Sequence, residues 1–218
     1  MHGGSLIVLE GVDGAGTTTQ VRLLCERLRA LKLPVHASAQ PSQGPIGALL
    51  RQVLSGRLVV NSAGHARAPG WSTMALLFAA DRLDHLESEL QPNLDDGVVV
   101  VCDRYYHSSA AYQSVSGGGR DAIAWIRECN RHARTPDLTL VLNVPPKLAA
   151  ERRRQRSGRA EIFDDDEIQR ELCGFYAGLA EHFPGERIVQ VDGQGGADEV
   201  AARLLAEVRA VLSLPGAT

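Results

Sequence analysis

Residues 11 to 18 read Gly11-Val12-Asp13-Gly14-Ala15-Gly16-Thr17-Thr18, and their types and spacing suit the binding of a phosphate. Glycines let the backbone take positive φ and bring its amides close to an anion with no Cβ in the way. A helix that opens where the loop ends adds the positive end of its dipole. The stretch fits G-x-x-x-x-G-K-[ST] at Gly11, at Gly16 and at Thr18, whose hydroxyl would reach a Mg²⁺ ion, but Thr17 stands at the lysine position. A neutral hydroxyl therefore replaces the point charge that ordinarily meets the β- and γ-phosphates. The plain alternative is a glycine-rich turn with no ligand.

Two further groups carry charge where it calls for a partner. Asp103 and Arg104 directly follow the apolar run Val98-Val99-Val100-Val101-Cys102, a place where two charges are costly unless a ligand or ion answers them; the alternative is a surface ion pair. The run Glu151-Arg152-Arg153-Arg154-Gln155-Arg156-Ser157-Gly158-Arg159 is strongly basic, and a solvated helix face explains such a run equally well.

The elements that must position these residues follow from periodicity. Leu6 to Leu9 form a strand that turns at the glycine loop into a helix bearing Val21, Leu24, Leu28 and Leu31. Strands are expected at 35–39, 98–102, 138–144 and, more weakly, 187–191, the continuous apolar runs being typical of parallel strands buried on both faces. Helical patterns fall at 46–54, 121–134, 146–156, 166–183 and 197–212. A long one runs from 72 to 94 with Leu76, Leu77, Ala80, Leu83 and Leu86 on its inner face, and residues 56–70 are expected to be an irregular connection. Strands alternating with helices predict an α/β fold, a doubly wound parallel five-stranded sheet flanked by helices, whose ligands gather at the carboxyl ends of the strands.

The composition fits one globular domain of 218 residues, with 44% apolar and 22% charged residues and a net charge of −3. Without a basic excess, nucleic acid and anionic membranes are not expected partners. No apolar run approaches the ~18 to 20 residues of a membrane helix. Cys25, Cys102, Cys129 and Cys173 show no paired spacing, and no secretory leader precedes Ser5, which points to a cytoplasmic protein with reduced thiols. The seven histidines show no zinc-site spacing.

Four ordered stretches resemble one family. Asp103-Arg104-Tyr105-Tyr106-His107-Ser108-Ser109-Ala110-Ala111-Tyr112-Gln113 is similar to the D-R-Y-x-x-S-x-x-A-Y-Q signature of thymidylate kinases. Leu77-Phe78-Ala79-Ala80-Asp81-Arg82 resembles their L-F-A-A-x-R helix, and Gln40-Pro41-Ser42-Gln43-Gly44-Pro45-Ile46-Gly47 their E-P-x-x-G-P-I-G turn. With the glycine loop, the likeness covers nearly the whole chain and implies a P-loop kinase that passes the γ-phosphate of ATP to thymidine monophosphate with Mg²⁺.

The resemblance assigns roles. The loop, Gly11 to Thr19 (Gly11, Val12, Asp13, Gly14, Ala15, Gly16, Thr17, Thr18, Thr19), would hold ATP. Thr18 and Asp103 would serve the metal, Asp103 through water. Phe78 and Arg82, one helical turn apart, would stack on the base and reach its O4 edge, with Ser109 and Gln113 also at the base and Pro41 and Ser108 in the acceptor segment, residues 40–113. Arg104 and Arg51 would bind the acceptor phosphate, Asp13 would contact the sugar 3′-hydroxyl, and Tyr112 would crowd a 2′-hydroxyl. The basic run looks like a short lid over about 151–163, with Arg153 and Arg156, three apart, as candidates for the catalytic cation alongside Asp13 and Arg104. A homodimer is a further expectation of the resemblance. Two departures stand against it: Thr17 in place of the loop lysine, and Ala39-Gln40 in place of Arg-Glu. They leave room for a kinase of another, modified deoxynucleotide or a catalytically silent nucleotide-binding protein.

Overall fold

The computed structural model describes residues 3–62, 64–155 and 166–214. In chain order, β1 (Leu6–Glu10) leads through the glycine loop into α1 (Thr17–Ala30), then β2 (Val35–Ala39) and α2 (Pro45–Leu54). A hairpin of β3 (Val60–Ser62) and β4 (His65–Arg67) precedes α3 (Trp71–His85), a π-helical turn at Leu86–Leu90 and α4 (Gln91–Asp95). Next come β5 (Val99–Asp103), α5 (Tyr106–Gln113), α6 (Asp121–Cys129), β6 (Leu138–Asn143) and α7 (Pro146–Gln155). The chain closes with α8 (Asp166–Ala177), α9 (Leu179–His182), β7 (Ile188–Asp192) and α10 (Ala197–Val211).

The five long strands form one all-parallel sheet in the order β2-β5-β1-β6-β7. β1 and β5, Leu-Ile-Val-Leu-Glu and Val-Val-Val-Cys-Asp, are buried at every position, as central strands covered on both faces must be. Leu9 sits opposite Asp103 in their register. The glycine loop and Asp103-Arg104 therefore leave the sheet side by side at its carboxyl edge, where the strand order reverses. Among the described residues no helix is long and apolar enough to cross a membrane.

Three expectations are corrected. Residues 56–70 hold the hairpin rather than only irregular chain; its strands of three residues are too short to show a period. The long helix from 72 to 94 is interrupted by the π-helical turn. The expected inner face of that helix is also misplaced: Leu76 and Leu83 are exposed, while Met74, Ala75, Ala79, Asp81, Arg82 and His85 are buried. Polar side chains take the inner face because each finds a hydrogen-bond partner there, which an apolar periodicity cannot reveal.

Candidate active site

The glycine loop is shaped by what passes beneath it. Gly14 has φ 88, and a Cβ there would lie 2.3 Å from the Ala149 carbonyl of α7, so only glycine permits the contact. Gly16, also left-handed, opens α1, which aims its first-turn amides at whatever the loop encloses. Thr17 is buried at the lysine position. Thr18 donates its hydroxyl to Asp103 Oδ2 at 2.6 Å, and Asp103 Oδ1 is buried with no hydrogen-bond partner among the described residues. A hydroxyl and a carboxylate with one oxygen to spare are the hard oxygen donors that Mg²⁺ takes, with phosphates and water completing its shell. The residues present thus fit that ion.

Glu10, fully buried at the end of β1, anchors the turn after β5. It accepts from the Tyr105 amide (2.8 Å), the Ser108 amide (3.2 Å), the Ser108 hydroxyl (2.6 Å) and the Tyr176 hydroxyl of α8 (2.9 Å). Four donors offset the cost of burying a carboxylate. Arg104, held at φ 68 in that turn, points back over the loop. It donates to Asp13 Oδ1 at 2.6 Å and to the Gly11 carbonyl at 2.9 Å, and its guanidinium lies 5.3 Å from the centre of the Tyr112 ring. Asp13 is gripped from its other side by Gln169 of α8, which bonds both its amide and Oδ2. Burial pushes the Tyr112 phenol up, against the pull of Arg104, so the ring stays neutral.

A cavity opens beside this ion pair, and its wall brings together Asp13, Pro41, Phe78, Arg82, Arg104, Ser108, Ser109, Tyr112 and Gln113. All but one of the expected acceptor residues therefore converge. Gln113 is fully buried, and neither end of its amide has a partner among the described residues. Arg82, also buried, donates through Nε to Gln40 Oε1 (3.0 Å), through Nη2 to Ser109 Oγ (3.0 Å) and through Nη1 to Asn130 Oδ1. The exception is Arg51. Its Nη1 donates to the carbonyls of Pro41 and Ser42, and it does not line the cavity. Gly47 packs so tightly beneath the same turn that a Cβ would meet the Ser42 carbonyl at 2.0 Å.

The basic run reaches the loop from α7. Arg153 donates to the Asp13 carbonyl at 3.1 Å and Arg152 to the Ala15 carbonyl at 3.2 Å. Arg156 and the rest of the expected lid lie outside the described residues. Sequence reasoning missed Arg152, Gln169, Tyr176 and the anchoring role of Glu10. Each acts across a long chain separation, and the only local signal was Glu10 preceding the loop.

The comparisons agree with this geometry. A family model described as thymidylate kinase matches residues 9–204. The chain belongs to the thymidylate kinase family. A probable thymidylate kinase of Pyrococcus horikoshii is 37% identical, covering 85% of this chain and 87% of its own length. One of Pyrobaculum aerophilum is 34% identical over 95% of this chain and 98% of the relative. A thymidylate kinase of Thermomicrobium roseum is 37% identical over 82% of each. As a thymidylate kinase, this chain is a nucleoside monophosphate kinase that phosphorylates thymidine monophosphate. Neither rival reading gains support from these relatives.

Proposed function

We propose that the enzyme carries out this transfer as a single domain, with ATP held by Gly11 to Thr19 and thymidine monophosphate in the cavity bounded by Phe78, Arg82, Arg104 and Gln113. The observation that carries the assignment is the Gln113 amide, fully buried with both polar ends unpartnered in the cavity wall. A uracil-type edge offers one N–H donor between carbonyl acceptors, and one amide answers both kinds of group. Arg82, a donor only, favours a carbonyl at the 4-position over the amino group of cytosine. Phe78 supplies an apolar face for stacking.

Chemistry is then a matter of holding two phosphates in line. Arg104 holds the acceptor phosphate, kept in place by Asp13 and the Gly11 carbonyl. Asp13 also faces the sugar 3′-hydroxyl, and the Tyr112 ring crowds the 2′ position. Thr18 and Asp103 would hold Mg²⁺, which would supply charge neutralisation at the donor phosphates. Arg153 of α7 and Arg156 supply the cation that Thr17 lacks. No covalent enzyme intermediate is needed. Arg51 acts one step back, by holding the Pro41 turn.

The exposed Leu76 and Leu83 of α3, with Leu49 of α2, support pairing of two copies through this face; sedimentation of Leu76→Glu against the parent protein tests it, a monomer being expected only in the variant. We place the enzyme in the cytoplasm, where its nucleotide substrates are made and used. The function test is a coupled assay with ATP and Mg²⁺ against thymidine, deoxyuridine and deoxycytidine monophosphates. Thymidine monophosphate should be preferred, and Gln113→Leu should erase most of that preference. A Gln113→Leu enzyme with the parent's full selectivity would remove the base-reading role.

A further inference from the structure

Arg82 is aimed by a hydrogen-bonded chain that ends at the surface, and the donors and acceptors along it leave one arrangement open. Its Nε is a donor only, so the Gln40 atom facing it at 3.0 Å is the carbonyl oxygen. That fixes the other end of the amide, Nε2, towards His85 Nδ1 at 3.2 Å. An amide NH₂ only donates, so Nδ1 must accept, and the single proton of a neutral His85 ring sits on Nε2. There it finds Ser38 Oγ at 2.8 Å, with Glu89 Oε1 at 3.3 Å. Ser38 passes its own proton to Glu89 Oε1 at 2.5 Å, and His36 Nε2 meets the same oxygen at 2.9 Å.

We infer that His85 is a positioning residue for acceptor binding: its neutral, Nε2-protonated ring orients the Gln40 amide, the amide aims Arg82 into the cavity, and protonation of the ring weakens nucleoside binding. The inference rests on the reading that the nucleoside lies against Arg82. A second proton would go to Nδ1 and turn the acceptor into a donor facing the NH₂ group of Gln40. Turning the amide over does not help, because its NH₂ would then face Arg82 Nε–H. No carboxylate bonds Arg82 among the described residues; its partners Gln40, Asn130 and Ser109 are all neutral. The guanidinium is therefore placed by hydrogen bonds to neutral groups and by the Tyr105 ring, whose centre lies 5.3 Å away, and losing the Gln40 bond frees its Nε edge to turn.

The charged groups around the ring are accounted for. Glu89, in the π-helical turn, lies 3.3 Å from His85 Nε2, and His36 of β2 lies beyond it on the same oxygen. Asp81 of α3 is committed to the amide and hydroxyl of Ser42, and Arg51 of α2 to the turn carbonyls. His107 of α5 bonds Glu186, and Arg127 of α6 lies over Phe183. A carboxylate at position 40 would accept from Arg82 and from a protonated ring alike, so the glutamine makes the chain sensitive to the second proton.

The test uses thymidine, which has no phosphate to titrate in the range, as the probe on the whole enzyme. Nitrogen-15 NMR of the His85 ring should show the Nε2-protonated tautomer and the pH at which the second proton binds. Below that pH, thymidine affinity of the parent enzyme should fall by about tenfold per pH unit, and Gln40→Glu should flatten the profile. A neutral ring protonated on Nδ1, or an affinity unchanged while the ring titrates, overturns the inference; these parent-enzyme readings decide it even where the variant fails to fold. A flat profile with thymidine binding still lost in Arg82→Lys leaves the pocket assignment standing, whereas indifference to Arg82→Lys at every pH overturns both.

Discussion

In the proposed assignment, the acceptor cavity and the donor loop solve the same problem, holding a nucleotide phosphate, with opposite materials. The cavity is built from buried side chains already fixed by one another: Arg82 by Gln40, Asn130 and Ser109, and Arg104 by Asp13 and Gly11. The loop is built from backbone, from glycines such as Gly14, where a Cβ would strike the Ala149 carbonyl, and from arginines that reach in from α7. Fixed side chains suit discrimination between bases, since a mismatched edge leaves buried polar groups unpaired. A loop without its own cation suits a charge that arrives with α7 and acts on the transition state. Selectivity and rate should therefore separate under mutation.

The largest effect expected is on the loop side. Replacing Arg153 and Arg156 together by alanine should lower turnover at least ~10²-fold with little change in ATP affinity. Thr17→Lys should add little to the parent enzyme, because the site is already served. A large gain from Thr17→Lys together with full activity in the double arginine variant would show that Thr17 is a plain defect and the basic run a solvated face.

On the cavity side, Arg82→Ala should cost roughly 1.5 to 3 kcal/mol of thymidine monophosphate affinity, the range for a hydrogen bond to a charged group, and leave ATP binding nearly unchanged. Calorimetry with both ligands decides it; equal weakening would break the division between the regions. A smaller effect is expected of Tyr112→Ala, which should narrow the rate gap between deoxyribo- and ribonucleotide acceptors. Equal rates for the two sugars in the parent enzyme would remove the crowding role.

The smallest effect belongs to neither region. Partial burial pushes the Glu89 carboxyl up, but the hydrogen bonds from His36, Ser38 and His85 outweigh it and bring the group to about 2, from an ordinary 4.5. A depressed carboxyl stabilises the fold above its ordinary range and loses that stabilisation as pH falls through about 2. Because Glu89 is about a third exposed, the gain should stay below ~1 kcal/mol. Urea denaturation of the parent and Glu89→Gln at pH 7 and pH 3 should show a difference that shrinks in acid; a difference that grows in acid would reverse the sign.

The division also explains what could be read in advance. The loop and the sheet were legible because glycine spacing and runs such as Val98 to Cys102 are local signals. The cavity residues were legible through their resemblance to known motifs, and the structure brings eight of the nine together. Nothing local shows that the Pro41 and Ser42 carbonyls would bond Arg51. The inner face of α3 was misread because Asp81, Arg82 and His85 are buried through hydrogen bonds, which hydrophobic periodicity does not register. Gln169 and Tyr176 reach Asp13 and Glu10 from more than 150 residues away, beyond any local pattern.

The separation of selectivity from rate has one direct measurement: kcat/KM for thymidine monophosphate and for deoxycytidine monophosphate in the Arg153→Ala, Arg156→Ala enzyme, compared with the parent. Both values should fall at least ~10²-fold while their ratio stays within about twofold, since additivity is expected of groups that share no partner. A collapse of the ratio would place base selection in the arginines of the lid and contradict the account.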